Sequence, residues 1–520
     1  MNLDGIKAVA EAGERRMLDC YIGIDLGTSS VRALALSQDG VLGVQGRDYA
    51  IREPRPGYAE QSPEEWWQAT SDCLMRLLRL DTLAGARVRA VGLSGQMHGL
   101  VLLDDDRKPL RDAIIWPDTR TADICREWSK SIGVETISNT TGLPLATGFM
   151  APSLSWVKRN EPEVYRRAAT ALLPKDYIRY RLTGALATDV TDGSGSLLFD
   201  VAKRQWSHDM LTRFDLDARL LPPVAGTTDA AGEVTTTAAE ETGLPAGIPV
   251  AAGGADIAMA AIALGVGRPG VVAVSISTGG TVITGIDRVI IDNRLHTLCF
   301  AGKDRWILMG AMLSAGLSLS WFARKIASPA GGLSEDADML SSEKLSRDAE
   351  KIPAGSEGLL FAPYLCGERT PYMDPDAKGC FIGLSLRHTQ AHMVRAIMEG
   401  VACSLCESLD IFKELGVPVN QVICTGGGSR SPLWRQIMAD VFERPVSWHQ
   451  GEEHSALGAA MAGAAAAGQT VNAAGVRDHA PETTFPQASS VEVLRNQRKI
   501  FRRIHPQLKG VFSDLSGPQR

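Results

Sequence analysis

One aspartate of this sequence stands where a strand runs into a helix, a place from which its carboxylate could act as a general base. The apolar residues 249–252 predict a strand that ends at two glycines, and the apolar residues 257–266 predict a packed helix. Asp256 therefore lies at or near the helix start, where rigid backbone can aim a carboxylate at a hydroxyl group. Helix capping requires the same residue at the same place, and position alone favours capping.

A second aspartate stands at the end of the first predicted strand, before a turn of small residues. Residues 21–26 predict this strand, which carries Asp25, and Gly27, Thr28 and Ser29 follow. Glycine lets a phosphate group approach the backbone, and the two hydroxyl residues supply hydrogen-bond donors. Asp25 could hold a hydrated Mg²⁺ that bridges phosphate groups. An ordinary β-turn with a solvated aspartate would have the same sequence.

The second half of the chain contains two further glycine loops. The loop at residues 275–281, which includes Thr278 and Gly279, repeats the first layout of strand, hydroxyl-and-glycine turn and strand. We interpret the two meanders as one unit used twice, so that a phosphate chain could be held between two domains. Gly427 and Gly428 lie between a strand at 422–425 and a helix at about 431–442, the arrangement that binds nucleotides in α/β proteins. A flexible connection is the alternative for this third loop.

A polar segment after another predicted strand offers hydrogen bonds to a polyol. Gln96, Met97 and His98 follow the strand at residues 87–93, between two glycines. A histidine at a strand end is more often a structural residue with a satisfied partner. Trp116 is a candidate sugar-contacting surface, although each tryptophan taken alone is more typical of a core.

Length and composition restrict the class of protein. At 520 residues the chain exceeds the about 250–300 residues of a single core, so at least two domains are expected. A content of 44% hydrophobic and 22% charged residues excludes wholesale disorder, and a net charge of −6 argues against nucleic-acid binding. No apolar run reaches the about 18 residues of a membrane span, and we find no export signal. Nine cysteines without a regular framework suggest reduced thiols in the cytoplasm.

Strand and helix signals alternate along the chain, which predicts an α/β fold. We divide the sequence into an N-terminal extension (1–20), a first domain (21–265), a second domain (266–490) and a C-terminal tail (491–520). The polar stretch from residue 328 to 348 predicts an exposed insertion, and the basic tail predicts a solvated helix face.

Taken together, these segments resemble the carbohydrate kinases of the FGGY family, most closely those that act on xylulose. The similarity runs from about residue 21 to residue 468. The specific stretches are YIGIDLGTS, EEWWQAT, GQMHG, LLPKDYIRYRLTG, VAKRQWS, PYLCGERTPYMDPDAKGCFIGL and TGGGSRSPLWRQIMADV.

The resemblance implies two actin-like, ribonuclease-H-like domains, a cleft between them that holds ATP and Mg²⁺, and a homodimer. It implies transfer of the γ-phosphoryl group to a terminal hydroxyl of a ketopentose, D-xylulose, or of another pentulose or a pentitol. A sugar- or nucleotide-binding sensor without turnover is the alternative from another class. The resemblance implies that Asp256 is the catalytic base and that the residues in contact with the sugar are Met97, His98, Gln96 and Trp116. It implies a first phosphate loop that contains Asp25, Gly27, Thr28 and Ser29, in which Asp25 also binds Mg²⁺. It further implies a second phosphate loop with Thr278 and Gly279 and an adenosine loop with Gly427 and Gly428.

Three single residues and one loop depart from the family pattern. Ile257 replaces the asparagine that commonly follows the base, which removes a potential hydrogen-bond partner of the sugar. The second phosphate loop reads SISTGG in place of the usual SLGTSG. Pro117 and Ser153 stand where asparagine and lysine are usual. These departures concern the identity of the sugar more than the reaction.

Overall fold

The computed structural model describes residues 18–327, 344–449, 451, 453–471 and 481–516. The N-terminal extension up to residue 17 and most of the insertion expected at residues 328–348 lie outside the described residues.

In the first half of the chain, the described residues form fifteen strands and ten α-helices. Its strands are β1 (Asp19–Leu26), β2 (Ser30–Ser37), β3 (Gly40–Asp48), β4 (Glu60–Gln61), β5 (Arg87–Gly95), β6 (Val101–Leu103), β7 (Ala113–Ile114), β8 (Thr170–Leu172), β9 (Thr188–Asp189), β10 (Phe199–Asp200), β11 (Gln205–Trp206), β12 (Val224–Ala225), β13 (Ala230–Glu233), β14 (Pro249–Ala251) and β15 (Gly254–Ala255). Its helices are α1 (Pro63–Leu77), α2 (Ala122–Ser131), α3 (Val134–Thr141), α4 (Met150–Asn160), α5 (Pro162–Arg167), α6 (Pro174–Thr183), α7 (Val190–Gly193), α8 (His208–Arg213), α9 (Thr236–Thr242) and α10 (Asp256–Leu264).

The second half continues the chain with a second set of elements. Its strands are β16 (Gly270–Ile276), β17 (Gly280–Ile286), β18 (His296–Cys299), β19 (Trp306–Met312), β20 (Leu360–Ala362), β21 (Cys380–Ile382), β22 (Val419–Thr425), β23 (Val446–Trp448) and β24 (Glu482–Thr484). Its helices include α11 (Gly316–Phe322), α12 (Gln390–Glu414), α13 (Pro432–Phe442), α14 (His454–Ala466) and α15 (Ala488–Ser516).

Each half is built on one mixed sheet, and the two sheets share a layout. The first has the strand order β13-β14-β5-β1-β2-β3, with β15 also paired to β5. The second has the order β18-β19-β17-β16-β22-β23-β24. In both, an antiparallel meander that begins with β1 or β16 is extended by parallel strands on the other side. The expectation of one unit used twice is confirmed at this level.

The first meander follows directly from local sequence. β1 is buried along almost its whole length, as expected for a central strand of apolar residues. The turn between β2 and β3 consists of Gln38 and Asp39, and Gly40 at the start of β3 has a φ of 137° that a side chain would disfavour. The same local signals placed β5 and β22 within a few residues of their observed bounds.

Helix α14 connects the two halves, because it comes late in the chain yet packs on the first sheet, against β1, β2 and β5. It also packs along α10, whose side chains share one apolar cluster with Ala273 and Ile283 of the second sheet. A β-carbon added at Gly92 would overlap the carbonyl oxygen of Ala459, and one at Gly458 that of Met259. The alanine- and glycine-rich sequence of α14 is therefore what lets helix and sheet backbones touch.

Gly92→Ala is expected to lower the free energy of unfolding by about 1–3 kcal/mol, because the added methyl group overlaps α14. Chemical denaturation measures the loss. Gly510→Ala is the control, since the methyl group there meets no described atom within 4 Å and a helical glycine-to-alanine change is neutral or favourable. A Gly92→Ala variant as stable as the wild type would contradict this account of the packing.

The C-terminal helix α15 has the solvated face that the basic tail predicts, and its other face is buried. Its buried side chains are Leu494, Gln497, Phe501, Ile504, His505 and Phe512. On the polar side, Arg498 and Arg502 both form ion pairs with Asp410 of α12. The helix is thus part of the core of the second half, and only one of its faces is solvated.

Across the part of the chain that the structure describes, no helix has both the length and the apolar character needed to cross a bilayer.

Candidate active site

The ends of three parallel strands bring Asp25, residues 96–98 and Asp256 to one edge of the first sheet. Asp25 of β1 lies opposite Ser94 of β5. The short strand β15 runs beside the same end of β5 on the other side. The segment with His98 follows β5, and Asp256 follows β15 directly. The register alone therefore gathers side chains that are far apart in sequence.

Asp256 is the first residue of α10 and does not occupy the cap position, where Ala255 stands without a side-chain hydrogen bond. Its Oδ1 accepts a hydrogen bond from the N–H of Ile257 at 2.7 Å. Burial raises the pKa of Asp256 to about 7, the negative charge of Asp25 adds to the rise, and the Ile257 bond opposes it. A carboxyl group with a pKa near neutrality suits a general base better than a helix cap.

Asp25 keeps one carboxylate oxygen available. Its Oδ1 accepts a hydrogen bond from the hydroxyl of Ser94 at 2.6 Å, and no donor among the described residues reaches Oδ2. Burial raises the pKa of Asp25, while the Ser94 hydrogen bond and the charge of Arg32 oppose the rise. A carboxylate oxygen of this kind is a ligand that Mg²⁺ uses beside waters and phosphates, so the residue fits the expected ion.

The turn after β1 is held by hydrogen bonds to its backbone carbonyl groups. The hydroxyl of Tyr49 donates to the carbonyl of Gly27. The Nε2 of Gln61 donates to the carbonyl of Thr28 at 2.7 Å. Ser29 is exposed at the tip of the turn. Small side chains on a fixed backbone are what a phosphate-binding turn requires.

Two of the expected sugar-contacting residues, Trp116 and Gln96, are engaged in hydrogen bonds at or behind the turn after β1. Trp116 is 40% exposed and donates its indole N–H to Thr28 Oγ1 at 2.9 Å, so it lies against the turn after β1 and not in a core. Gln96 is 1% exposed, and its Nε2 donates to Gln61 Oε1 at 2.9 Å. The structure therefore places Gln96 in a buried amide pair behind the turn and not at a surface open to a sugar.

His98 is held in one orientation and stays neutral. It has a φ of 74°, its Nδ1–H donates to the carbonyl of Gly195 at 2.6 Å, and its ring packs on Phe149. Burial lowers the pKa of His98 to about 4, the Gly195 bond opposes this, and Arg369 of the second half lowers it further. With Nδ1 protonated, Nε2 is an acceptor for a sugar hydroxyl. Met97 beside it is 4% exposed.

The two glycine loops of the second half lie at one edge of the second sheet. Thr278 and Gly279 form the turn between β16 and β17, and Gly427 and Gly428 follow β22, which pairs with β16 in parallel. A β-carbon at Gly428 would overlap the side chain of Ile276, whereas one at Gly427 would meet no described atom within 4 Å. Exposed backbone, the exposed side chain of Thr278 and open space beside Gly427 fit a phosphate chain and its nucleoside.

Sequence reasoning missed several residues that shape this site. Ser94 orients Asp25, and its position just before the GQMHG stretch was a usable signal. Arg369 lies within a matched stretch, but only the structure brings its charge near His98. Gln61 had no local signal, because its role depends on contacts with two distant turns.

Comparison with known proteins supports the resemblance found in the motifs. Residues 20–263 match the model of the FGGY family of carbohydrate kinases, N-terminal domain, and residues 272–467 match that of the C-terminal domain. The chain is 36% identical to the xylulose kinase of Bacillus subtilis (strain 168) over 502 residues, 95% of this chain and 98% of the relative. It is 35% identical to the xylulose kinase of Escherichia coli (strain K12) over 494 residues, 94% of this chain and 99% of the relative.

A solved structure agrees with these relatives. The crystal structure of xylulose kinase from Rhodospirillum rubrum has a TM-score of 0.87 and 30% identity, and the match covers 95% of this chain and 100% of the other. The expected fold of two actin-like domains and the expected enzyme class, a sugar kinase, are confirmed. From both family matches and the relatives' identity, the chain belongs to the FGGY family of carbohydrate kinases.

Proposed function

We propose that this protein transfers the γ-phosphoryl group of ATP to D-xylulose and forms D-xylulose 5-phosphate. The observation that carries the proposal is the meeting of Asp256, His98 and Asp25 at one sheet edge, with the pKa of Asp256 near 7. Relatives named xylulose kinases, which align over nearly the whole chain, support this choice of sugar.

In this proposal Asp256 takes the proton of the terminal sugar hydroxyl as its oxygen attacks the γ-phosphorus. The new oxygen–phosphorus bond forms as the bond to the β-phosphate oxygen breaks, so ADP leaves with the electron pair. The proton stays on Asp256 and passes to solvent after release. Phosphoryl transfer depends on alignment of the reacting groups and on neutralisation of the phosphate charge more than on covalent catalysis. A carboxylate is sufficient as the base.

The glycine loops and Asp25 would bind the nucleotide and its ion. Thr28, Ser29 and the turn at Thr278 would donate to the phosphates, and Gly427 gives room for the nucleoside. Asp25 would hold Mg²⁺, which neutralises charge on the phosphate oxygens when bound. Closure of a cleft between the halves would exclude the water that otherwise consumes ATP.

The sugar is expected to bind through neutral His98. Its Nε2 accepts from a hydroxyl, while the Gly195 bond keeps the ring in place. Ile257 offers an apolar side chain in place of a hydrogen bond beside the base, so the family's usual contact there is lost. For this reason a ribulose, xylitol or arabinitol kinase is the second candidate.

An ADP-release assay over a panel of ketopentoses and pentitols tests the proposal. We expect the highest kcat/KM with D-xylulose. A higher value for another member would reassign the substrate within the class. If no sugar supports turnover but calorimetry detects ATP binding, the protein is a sensor and the kinase proposal fails.

A homodimer in the cytoplasm belongs to the same proposal, on the strength of the family resemblance. The division into domains near residue 265 belongs to it as well: α10 ends at Leu264, and β16 begins at Gly270.

A further inference from the structure

A short helical turn behind the site is bonded to the backbone that carries Asp256. The carboxylate of Asp189 accepts hydrogen bonds from the N–H groups of Thr191 at 2.8 Å and Asp192 at 3.3 Å, and so caps α7. The Thr191 hydroxyl donates to Asp189 at 2.7 Å and accepts from the N–H of Ala255 at 2.9 Å. Ala255 directly precedes Asp256, so one hydroxyl group joins the turn to the base.

The other end of the same turn is bonded to the sugar-side histidine. The N–H of Gly195 donates to the carbonyl of Asp192 at 2.8 Å, and the carbonyl of Gly195 accepts from His98 at 2.6 Å. A β-carbon at Gly195 would lie 2.8 Å from the methyl group of Met97. Residues 189–195 thus contact the supports of both Asp256 and His98.

A cluster of fully buried charges holds this turn in place. The Nζ of Lys175 lies 2.6 Å from Asp176, 3.1 Å from Asp189 and 3.4 Å from Asp192, and Arg179 pairs with Asp176 at 2.9 Å. Buried charges are costly unless each finds a partner, and apolar residues of equal volume would serve stability as well or better. Their place directly behind the two functional side chains points to a role in geometry.

We propose that Thr191 is a positioning residue for the reaction: with Asp189 and buried Lys175 behind it, it fixes Asp256 relative to His98. The inference rests on the proposed function, because it assigns Thr191 to the kinase site. Thr191 does not touch the reacting atoms. It acts through the Ala255 N–H, which fixes the backbone from which Asp256 projects. Small errors in such positions cost large factors in rate.

Thr191→Val tests the proposal, since valine keeps the shape and removes the hydroxyl. The Ala255 N–H then loses its acceptor, and we expect kcat to fall by about tenfold or more while KM for ATP stays unchanged. Thr191→Ser restores the hydroxyl and is expected to restore kcat. Should Thr191→Val fail to fold, Thr191→Ala replaces it with the same expected loss.

Thr227→Val is the matched control. Thr227 is 2% exposed and donates to the same Asp189 carboxylate at 3.1 Å, but its hydroxyl does not reach Ala255. We expect lower stability and wild-type kcat. Equal losses of kcat in the Thr191 and Thr227 variants, or wild-type kcat in a folded Thr191→Val variant, would overturn the positioning role.

Amide hydrogen exchange of residues 252–258 separates this inference from the proposed function. Thr191→Val is expected to speed exchange at Ala255 by about tenfold or more, while Thr227→Val leaves it unchanged. If the wild type has no sugar-dependent turnover, the proposed function fails. The exchange rates still test whether the hydrogen bond between Thr191 and Ala255 is present. Unchanged exchange at Ala255 would overturn the inference whatever the activity.

Discussion

Asp256→Asn is expected to lower kcat by at least about a hundredfold, the low end of what a general base contributes. Asparagine keeps the oxygen that accepts the Ile257 hydrogen bond, so the start of α10 is preserved. What it removes is the ability to accept a proton from the sugar hydroxyl. The coupled assay with saturating sugar and ATP measures the loss directly.

The pH dependence of the wild type follows from the same carboxylate. Because the pKa of Asp256 is raised to about 7 and the base acts when deprotonated, kcat/KM is expected to rise through pH 7 and level off above it. His98 does not contribute to this rise of kcat/KM with pH, since its pKa is lowered to about 4 and its ring is already neutral.

The raised pKa of Asp256 makes folding stability fall with rising pH, whereas activity rises with pH. A carboxyl group whose pKa is higher in the folded protein favours folding at acid pH, and this contribution is lost as pH rises through about 7. Asp256→Asn removes the desolvated charge, so the variant is expected to unfold at the same temperature as the wild type or higher at pH 8.

A matched control distinguishes this role from a general effect of helix charges. Asp209 also lies in the first turn of a helix, α8, but is exposed and paired with Arg213. Asp209→Asn is expected to leave kcat unchanged. Near-normal turnover of Asp256→Asn would remove Asp256 from the mechanism.

Asp25→Asn is expected to be the second most damaging substitution. A metal ion supplies several kcal/mol of charge stabilisation, which corresponds to a loss of about a hundredfold or more in kcat/KM. An amide in place of the carboxylate oxygen weakens the ion's attachment, so half-maximal activity should need more Mg²⁺. KM for the sugar should change little, because our proposal assigns Asp25 to the nucleotide and its ion and not to the sugar.

Initial rates over a Mg²⁺ titration measure this effect. Asp39→Asn is the control, an exposed aspartate in the hairpin turn of the same meander, and should give the wild-type titration. The fold should tolerate Asp25→Asn, since burial raises the pKa of Asp25 and its charge therefore costs stability near neutral pH. An unaltered Mg²⁺ dependence in Asp25→Asn would assign the ion to other ligands.

The two expected losses also differ in what they leave intact. Asp256→Asn should still bind ATP and sugar, because the phosphate loops and His98 are untouched. Asp25→Asn should bind sugar as before and ATP with Mg²⁺ more weakly. Calorimetry on both variants therefore separates the base from the nucleotide side of the site.

Local sequence was sufficient to predict which candidate residues lie at the end of a strand or in the turn after it. Apolar runs and the turns that follow them placed Asp25 and Asp256 at strand ends and the glycine loops between a strand and its neighbour. These features depend on backbone preferences within a few residues, which the amino-acid order states directly. The long motif matches added the family and the enzyme class.

Only the tertiary structure decided the surroundings of each side chain. It buried Gln96 against Gln61, exposed Trp116 beside Thr28, and packed the C-terminal helix into a core. It also laid α14 across the first sheet and put the buried Lys175 cluster behind the backbone that carries Asp256. Burial, pKa and hydrogen-bond partners are set by contacts between distant segments, and no local pattern of residues specifies which segments will meet.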